Sequence, residues 1–206
     1  MSRIIKKPEV RKLEIVKAAR YLFQQKGYDL TTVQDVMDYL KIAKGTVYHY
    51  FKSKEEILEA VIENIVGADI EKKKLLFKEM KGNALENIRT LMASGSMDTD
   101  NDQILQHLHQ PGNSGMHIRL LAAAISKQAP LYCDLIRQGC EEGIFQTNTP
   151  LECAEFILAG IQFLTDLGIY NWSQEELMRR VMAFPAIIEA QLKAAPGSFQ
   201  FLINQI

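Results

Sequence analysis

An all-α chain is predicted from three observations. Apolar residues recur at helical spacing through most long segments, no stretch alternates apolar and polar residues long enough to propose a strand, and several periodic runs open on a Ser/Thr/Asn-x-x-Glu/Gln capping signature. The 206 residues are 47% apolar and 24% charged, with 12 Gly and 6 Pro, which is ordinary globular composition and excludes disordered, collagen-like or low-complexity classes. About nine helices are expected, with no internal repeat.

The first helix is expected over 9–26, with Ile15, Val16, Ala19, Leu22 and Phe23 on one face and Gly27 as its stop. Thr31-x-x-Gln34 reads as a capping box for a short second helix that ends near Leu40 and carries Val33, Val36 and Met37. After the turn Lys41-Ile42-Ala43, a third short helix spans Lys44-Gly45-Thr46-Val47-Tyr48-His49-Tyr50-Phe51. Ser53-x-x-Glu56 then opens a long fourth helix through Ile57, Leu58, Val61, Ile62 and Ile65. Two short helices and a tight turn between longer ones form a helix-turn-helix candidate.

In the remainder, Asn83-x-x-Glu86 caps a helix carrying Leu85, Ile88, Leu91 and Met92, which the Gly/Ser/Asp-rich stretch 94–102 breaks. A short helix over 103–109 ends at Pro111-Gly112, and a long one over 116–142 is broken or kinked at Pro130 and stopped by Gly143. Thr149-Pro150-Leu151-Glu152 sets a capping Thr before Pro at the first helical position, opening a helix over 150–168. Ser173-x-x-Glu176 opens the last long helix, 174–194.

Charge divides the chain more sharply than apolarity does. Residues 1–54 carry 12 Lys+Arg against 5 Asp+Glu, whereas 55–206 carry 12 against 20. A basic N-terminal quarter on an acidic body is the footprint expected of a nucleic-acid-binding head, and a merely solvated basic face is the alternative. The domains are therefore drawn as a head over 1–54 and a helical body over 55–206. No apolar run reaches the roughly 20 residues that span a bilayer and no secretory signal is evident, so a cytoplasmic protein without membrane partners is expected. Cys133, Cys140 and Cys153 lack a CxxC pairing and are expected to be reduced.

The head also carries a motif. The stretch 27–61, with TTV, KGTVYHYF and KSKEEI in order behind an AARYLF helix, resembles the DNA-binding head of the tetracycline-repressor (TetR/AcrR) family of bacterial transcriptional regulators. The resemblance is strong over about the first 65 residues and rests on length and helix order beyond them. It implies a homodimeric repressor that binds a double-stranded DNA operator and is released by a small-molecule effector. The family commonly has Gly where this chain has Lys41 and Ser where it has Ala43; alanine cannot cap the third helix through its side chain.

The residues support DNA chemistry on their own terms. Lys44 and Gly45 occupy the first turn of the third helix, where free N–H groups and the helix dipole favour a phosphate and glycine permits close approach. Thr46 offers a hydroxyl or a methyl to base edges, and Tyr48, His49 and Tyr50 present hydrogen-bonding groups, although either tyrosine could instead pack at the helix seam. Val47 and Phe51 form the inward pair. By resemblance, Thr32 and Lys54 contact phosphate.

In the body the resemblance implies an effector cavity and dimerisation through the last two long helices. Flexible thioethers, rings and histidines nominate Met92, His107, Met116, His117, Tyr132, Phe156 and Phe163 as ligand-binding. Ile157, Ile161, Leu164, Met178 and Met182 are nominated for the dimer interface. No metal site is expected, because His107 and His109 lie two apart and point away from each other on a helix, and no cofactor is expected. The chain shows no nucleophile-base signature, Walker loop or HExxH, so it is not expected to be an enzyme. A non-regulatory DNA-binding factor on the same fold, or an all-α enzyme with an incidental basic end, are the rival readings.

Overall fold

The structure, a computed structural model, describes residues 7–96 and 113–204. The described residues form eight α-helices: α1 Pro8–Lys26, α2 Val33–Leu40, α3 Lys44–Tyr50, α4 Lys54–Glu79, α5 Ala84–Ser96, α6 Ser114–Glu141, α7 Pro150–Leu164 and α8 Gln174–Leu192. A 3-10 turn, Gln200–Asn204, follows. No strand occurs among the described residues. The all-α class is as the periodicity predicted; the expected helix over 103–109, with His107 and His109, lies outside the described residues.

Several boundaries differ from the sequence expectation for local reasons. The capping box of α2 is built by Thr32 and Asp35, not by Thr31 and Gln34. Thr31 is fully buried and its hydroxyl donates to the Gly27 carbonyl at 2.7 Å, so it closes the end of α1 and is unavailable as a cap. At α4, the Glu56 amide donates to Ser53 Oγ as expected, but the Glu56 carboxylate accepts from the Lys52 amide, one residue earlier than a reciprocal box. At α7, Pro150 is the first helical residue, yet Thr149 makes no side-chain cap bond; its Oγ1 lies 3.5 Å from Thr147 Oγ1 and 4.0 Å from Cys153 Sγ instead. The boxes of α5 and α8 form reciprocally.

Helix α6 runs through Pro130 without ending. Pro130 and Ser126 both lie on the exposed side, where water can bond the carbonyl that proline leaves without a donor. Gly143 then ends the segment with φ +73°, a conformation a Cβ disfavours. Helices α7 and α8 stop at Leu164 and Leu192, short of the expected 168 and 194.

The chain divides into two units: described residues 7–67 with 113–120, and described residues 68–96 with 121–204. Helices α4 and α6 each contribute residues to both units. In the first, Ile15, Ala19 and Phe23 of α1, Val36 of α2, Val47 of α3 and Val61 of α4 are buried. The start of α6 belongs there too: Asn113 is buried, and its Oδ1 accepts the Tyr28 amide at 2.7 Å. Arg119 forms an ion pair with Glu59. In the second unit, α5 to α8 and the 3-10 turn share one core that includes Leu91, Ile136, Leu158, Phe184, Leu192 and Leu202. Among the described residues no helix is long and apolar enough to cross a membrane.

Candidate DNA interface

Helix α3 is short, and tertiary contact rather than propensity holds it. Seven residues are too few for a stable isolated helix, but Val47 is completely buried and Phe51 nearly so. Burial of a valine contributes roughly 1.5–3 kcal/mol, enough to fix the orientation of one helical turn against α2. Ala43 precedes α3 with no side-chain cap bond, so the first-turn amides of Lys44 and Gly45 are uncapped by a side chain. The turn before it is fixed at Lys41, which adopts the left-handed conformation (φ 52°, ψ 47°) and donates its amide to the end of α2.

With Val47 inward, the other side chains face outward. Lys44, Gly45, Tyr48 and His49 are exposed, and Thr46 and Tyr50 half-buried. Lys44 Nζ lies 5.5 Å from the Tyr48 ring centroid, and the His49 and Tyr50 rings meet edge-to-face at 4.9 Å. These contacts orient the cluster without covering it. A Cβ on Gly45 would meet nothing within 4 Å, so the fold itself does not require glycine there.

Thr32 and Lys54 are engaged inside the head. The Thr32 hydroxyl donates to Asp35 Oδ2 at 2.6 Å and accepts from the Asp35 amide, while Lys26 pairs with the same carboxylate at 2.7 Å. The Lys26 ammonium, followed by the Thr32 hydroxyl and amide, holds the Asp35 carboxyl down to about 2. Lys54 Nζ donates to the carbonyls of Tyr28 and Asp29 at 3.0 and 3.3 Å and lies 4.2 Å from the Tyr28 ring centroid. This ammonium ties the start of α4 to the α1–α2 loop, a role that the sequence pattern did not indicate. Asn113 was also missed, because it sits 85 residues from its partner Tyr28.

In the second unit, Ile88, Met92, Tyr132, Ile136, Ala154, Ile157, Leu158, Ile188, Leu192 and Phe199 line a narrow apolar pocket. It gathers Met92 and Tyr132 from the nominated ligand residues and Ile157 from the nominated interface. Met116 and His117 are buried in the first unit, Phe163 is half-buried, and Phe156 is 67% exposed. His107 lies outside the described residues. The stripes of α7 and α8 split in two: Ala154, Leu158, Val181, Phe184 and Ile188 are buried, whereas Leu164, Met178 and Met182 face outward and Ile161 is half-buried. Cys133 and Cys153 are buried and Cys140 half-buried, all as free thiols, and burial pushes the Cys133 thiol up.

Comparison with known proteins gives these surfaces a context. Residues 15–61 match the model for bacterial regulatory proteins of the tetR family, and residues 96–187 match the tetracyclin repressor-like C-terminal domain, together more than half of the chain. An uncharacterised helix-turn-helix-type transcriptional regulator of Bacillus subtilis, YfiR, is 43% identical over 53 residues, and the chain spans 26% of its length. The transcriptional repressor KstR2 of Mycobacterium tuberculosis is 22% identical over 156 residues, which cover 74% of this chain and 78% of that one. Among solved structures, SmeT, the repressor of the Stenotrophomonas maltophilia multidrug efflux pump SmeDEF, shares the fold with a TM-score of 0.65 at 16% identity, covering 91% and 92% of the two chains. RolR, solved with resorcinol, aligns with a TM-score of 0.65 at 14% identity over 97% and 95%. Head, body and relatives agree: the chain belongs to the tetracycline-repressor family of DNA-binding transcriptional regulators.

Proposed function

We propose that this regulator is a homodimeric repressor whose α3 reads an operator in the major groove and whose release is triggered by a small molecule entering the apolar pocket of the second unit. The observation that carries the DNA reading is the outward cluster Lys44, Gly45, Tyr48 and His49 on a helix anchored by fully buried Val47. Thr46 and Tyr50 flank it, and the uncapped first turn supplies amides for a phosphate. Thr32 and Lys54, through their bonds to Asp35 and to the α1–α2 loop, fix the starts of α2 and α4 within the head, and both are proposed to meet phosphate.

Dimerisation is supported by Leu164, Met178 and Met182, which lie outward with Phe156 and Ile187 on the last two helices. Apolar side chains left outward on two packed helices can be buried by a second copy. Two copies double the number of base pairs read, which one short helix cannot supply alone. Effector coupling is supported by α6, which lines the pocket through Tyr132 and Ile136 and contributes residues to both units.

The deciding experiment is a salt-dependent anisotropy titration of the protein against a duplex that it selects from a random pool. Thr46→Ala should relax sequence preference, and Met182→Glu should yield monomers by sedimentation with loss of operator binding. Selection of no duplex by the wild-type chain would refute the reading.

A further inference from the structure

Helices α4 and α6 contribute residues to both units, and from the start of each a side chain reaches the backbone of Tyr28 in the first unit. Asn113, directly before α6, is 2% exposed, and its Oδ1 accepts the Tyr28 amide at 2.7 Å. Lys54, the first residue of α4, donates from Nζ to the Tyr28 carbonyl at 3.0 Å. The Thr31 amide donates to the same carbonyl at 3.1 Å. Tyr28 is thus held by both of its backbone groups, and Thr32, the cap of α2, follows four residues later.

The Asn113 bond is unusual for its position. An asparagine at a helix N-cap commonly turns its side-chain oxygen to the amides of its own first turn. Asn113 holds that position, its carbonyl accepting the His117 amide at 2.9 Å, yet its Oδ1 meets an amide 85 residues earlier. Breaking a bond between buried groups costs more than the bond itself contributes, because donor and acceptor both lose their partners without regaining water. The start of α6 is therefore fixed to the loop from which α2 departs. Only the turn Lys41-Ile42-Ala43 separates α2 from α3, so the direction in which α2 leaves that loop sets where α3 points.

A staple on a loop would raise stability and leave the DNA affinity of the folded protein untouched. This one belongs to α6, which also lines the apolar pocket through Tyr132 and Ile136.

We infer that Asn113 is a positioning residue for DNA recognition. Its bond to the Tyr28 amide holds α2 and α3 in the DNA-reading orientation, and withdrawal of the α6 start from that bond is the step by which an occupied pocket lowers DNA affinity. This rests on α3 as the reading helix and on the apolar pocket as the effector site, and each of the three fails on a different result.

Anisotropy titration of the full chain against the duplex that it selects tests the positioning role. Asn113→Ser keeps a capping side chain for α6 but is one bond too short to reach Tyr28, and it should bind the duplex about tenfold more weakly at a temperature where it is fully folded. Asn113→Asp keeps the acceptor and should retain most of the affinity. Wild-type affinity in the folded Asn113→Ser chain, or equal loss in both variants, would overturn the role. Ala154→Leu fills the pocket from a fully buried wall position and so stands in for an effector. It should weaken duplex binding in the wild type and add little to the loss in Asn113→Ser, because the bond that it breaks is already gone. Losses that multiply in full would overturn the release step. Hydrogen exchange at the Tyr28 amide tests the bond with Asn113 unchanged, and serves should the serine variant fail to fold. The amide should be protected in the wild type and exchange about tenfold faster in Ala154→Leu; no protection in the wild type would overturn the positioning role, and equal protection in both chains the release step. Full duplex affinity in Ala154→Leu would remove the pocket reading and the release step with it, while selection of no duplex by the wild type would remove the reading of α3.

Discussion

Replacing Gly45 by alanine separates what the fold needs from what DNA needs. Gly45 is the second residue of α3, and a Cβ placed on it meets nothing within 4 Å. The free protein should therefore tolerate the methyl and gain from alanine's helix propensity, about 0.5–1 kcal/mol in a helix interior and less in a first turn. For a chain of this size that raises the midpoint of thermal unfolding by roughly 1–3 °C. With α3 docked on DNA as proposed, the same methyl would stand between the backbone amide and an approaching phosphate. Loss of one charge-assisted bond of about 1.5–3 kcal/mol weakens binding by about 10- to 100-fold. Calorimetric unfolding and duplex anisotropy on the same preparations read both effects. A stabilised variant that binds DNA as tightly as the wild type would remove Gly45 from the interface, and a destabilised one would show that the fold uses the glycine after all.

Other expectations concern stability. Lys41→Gly should stabilise the protein by about 0.5 kcal/mol in urea unfolding, because relief of a left-handed β-carbon outweighs the entropy of glycine; a loss of stability would mean that the Lys41 side chain contributes packing. Gly139→Ala should cost about 1–3 kcal/mol, since its Cβ would lie 2.1 Å from the Phe145 ring, and Phe145→Leu in the same chain should recover part of that cost. The Asp35 carboxyl, held near 2 when folded against an ordinary 3.8, contributes stability that is fully present above about pH 5 and is lost as pH falls through 2. The stability difference between wild type and Asp35→Asn should accordingly be constant at neutral pH and shrink below pH 4, and a pH-independent difference would contradict the Lys26–Asp35–Thr32 arrangement.

Local patterning by itself determines much about this protein. Helix periodicity and capping chemistry act over a few residues, so the all-α class, Pro150 as the first residue of α7 and the boxes at Asn83 and Ser173 were legible directly. The order of motifs in residues 27–61 nominated α3 as the helix to read DNA, and the Val47 and Phe51 spacing identified its inward pair. Where one residue could satisfy two partners, the local signal failed: Thr31 and Thr32 both fit a cap, and burial of Thr31 against the Gly27 carbonyl decided between them. Contacts distant along the chain were beyond reach, because no periodicity relates Asn113 to Tyr28, Lys54 to the Tyr28 carbonyl or Gln128 to Asp69. The body shows the same limit. Apolar spacing marked stripes on α7 and α8, but which residues turn inward, as Leu158 and Phe184 do, and which stay outward, as Phe156 and Met182 do, depends on the helices packed against them. A helix's own sequence specifies that it has an apolar face; only the neighbours that cover part of that face decide which side chains become core, pocket wall or open surface.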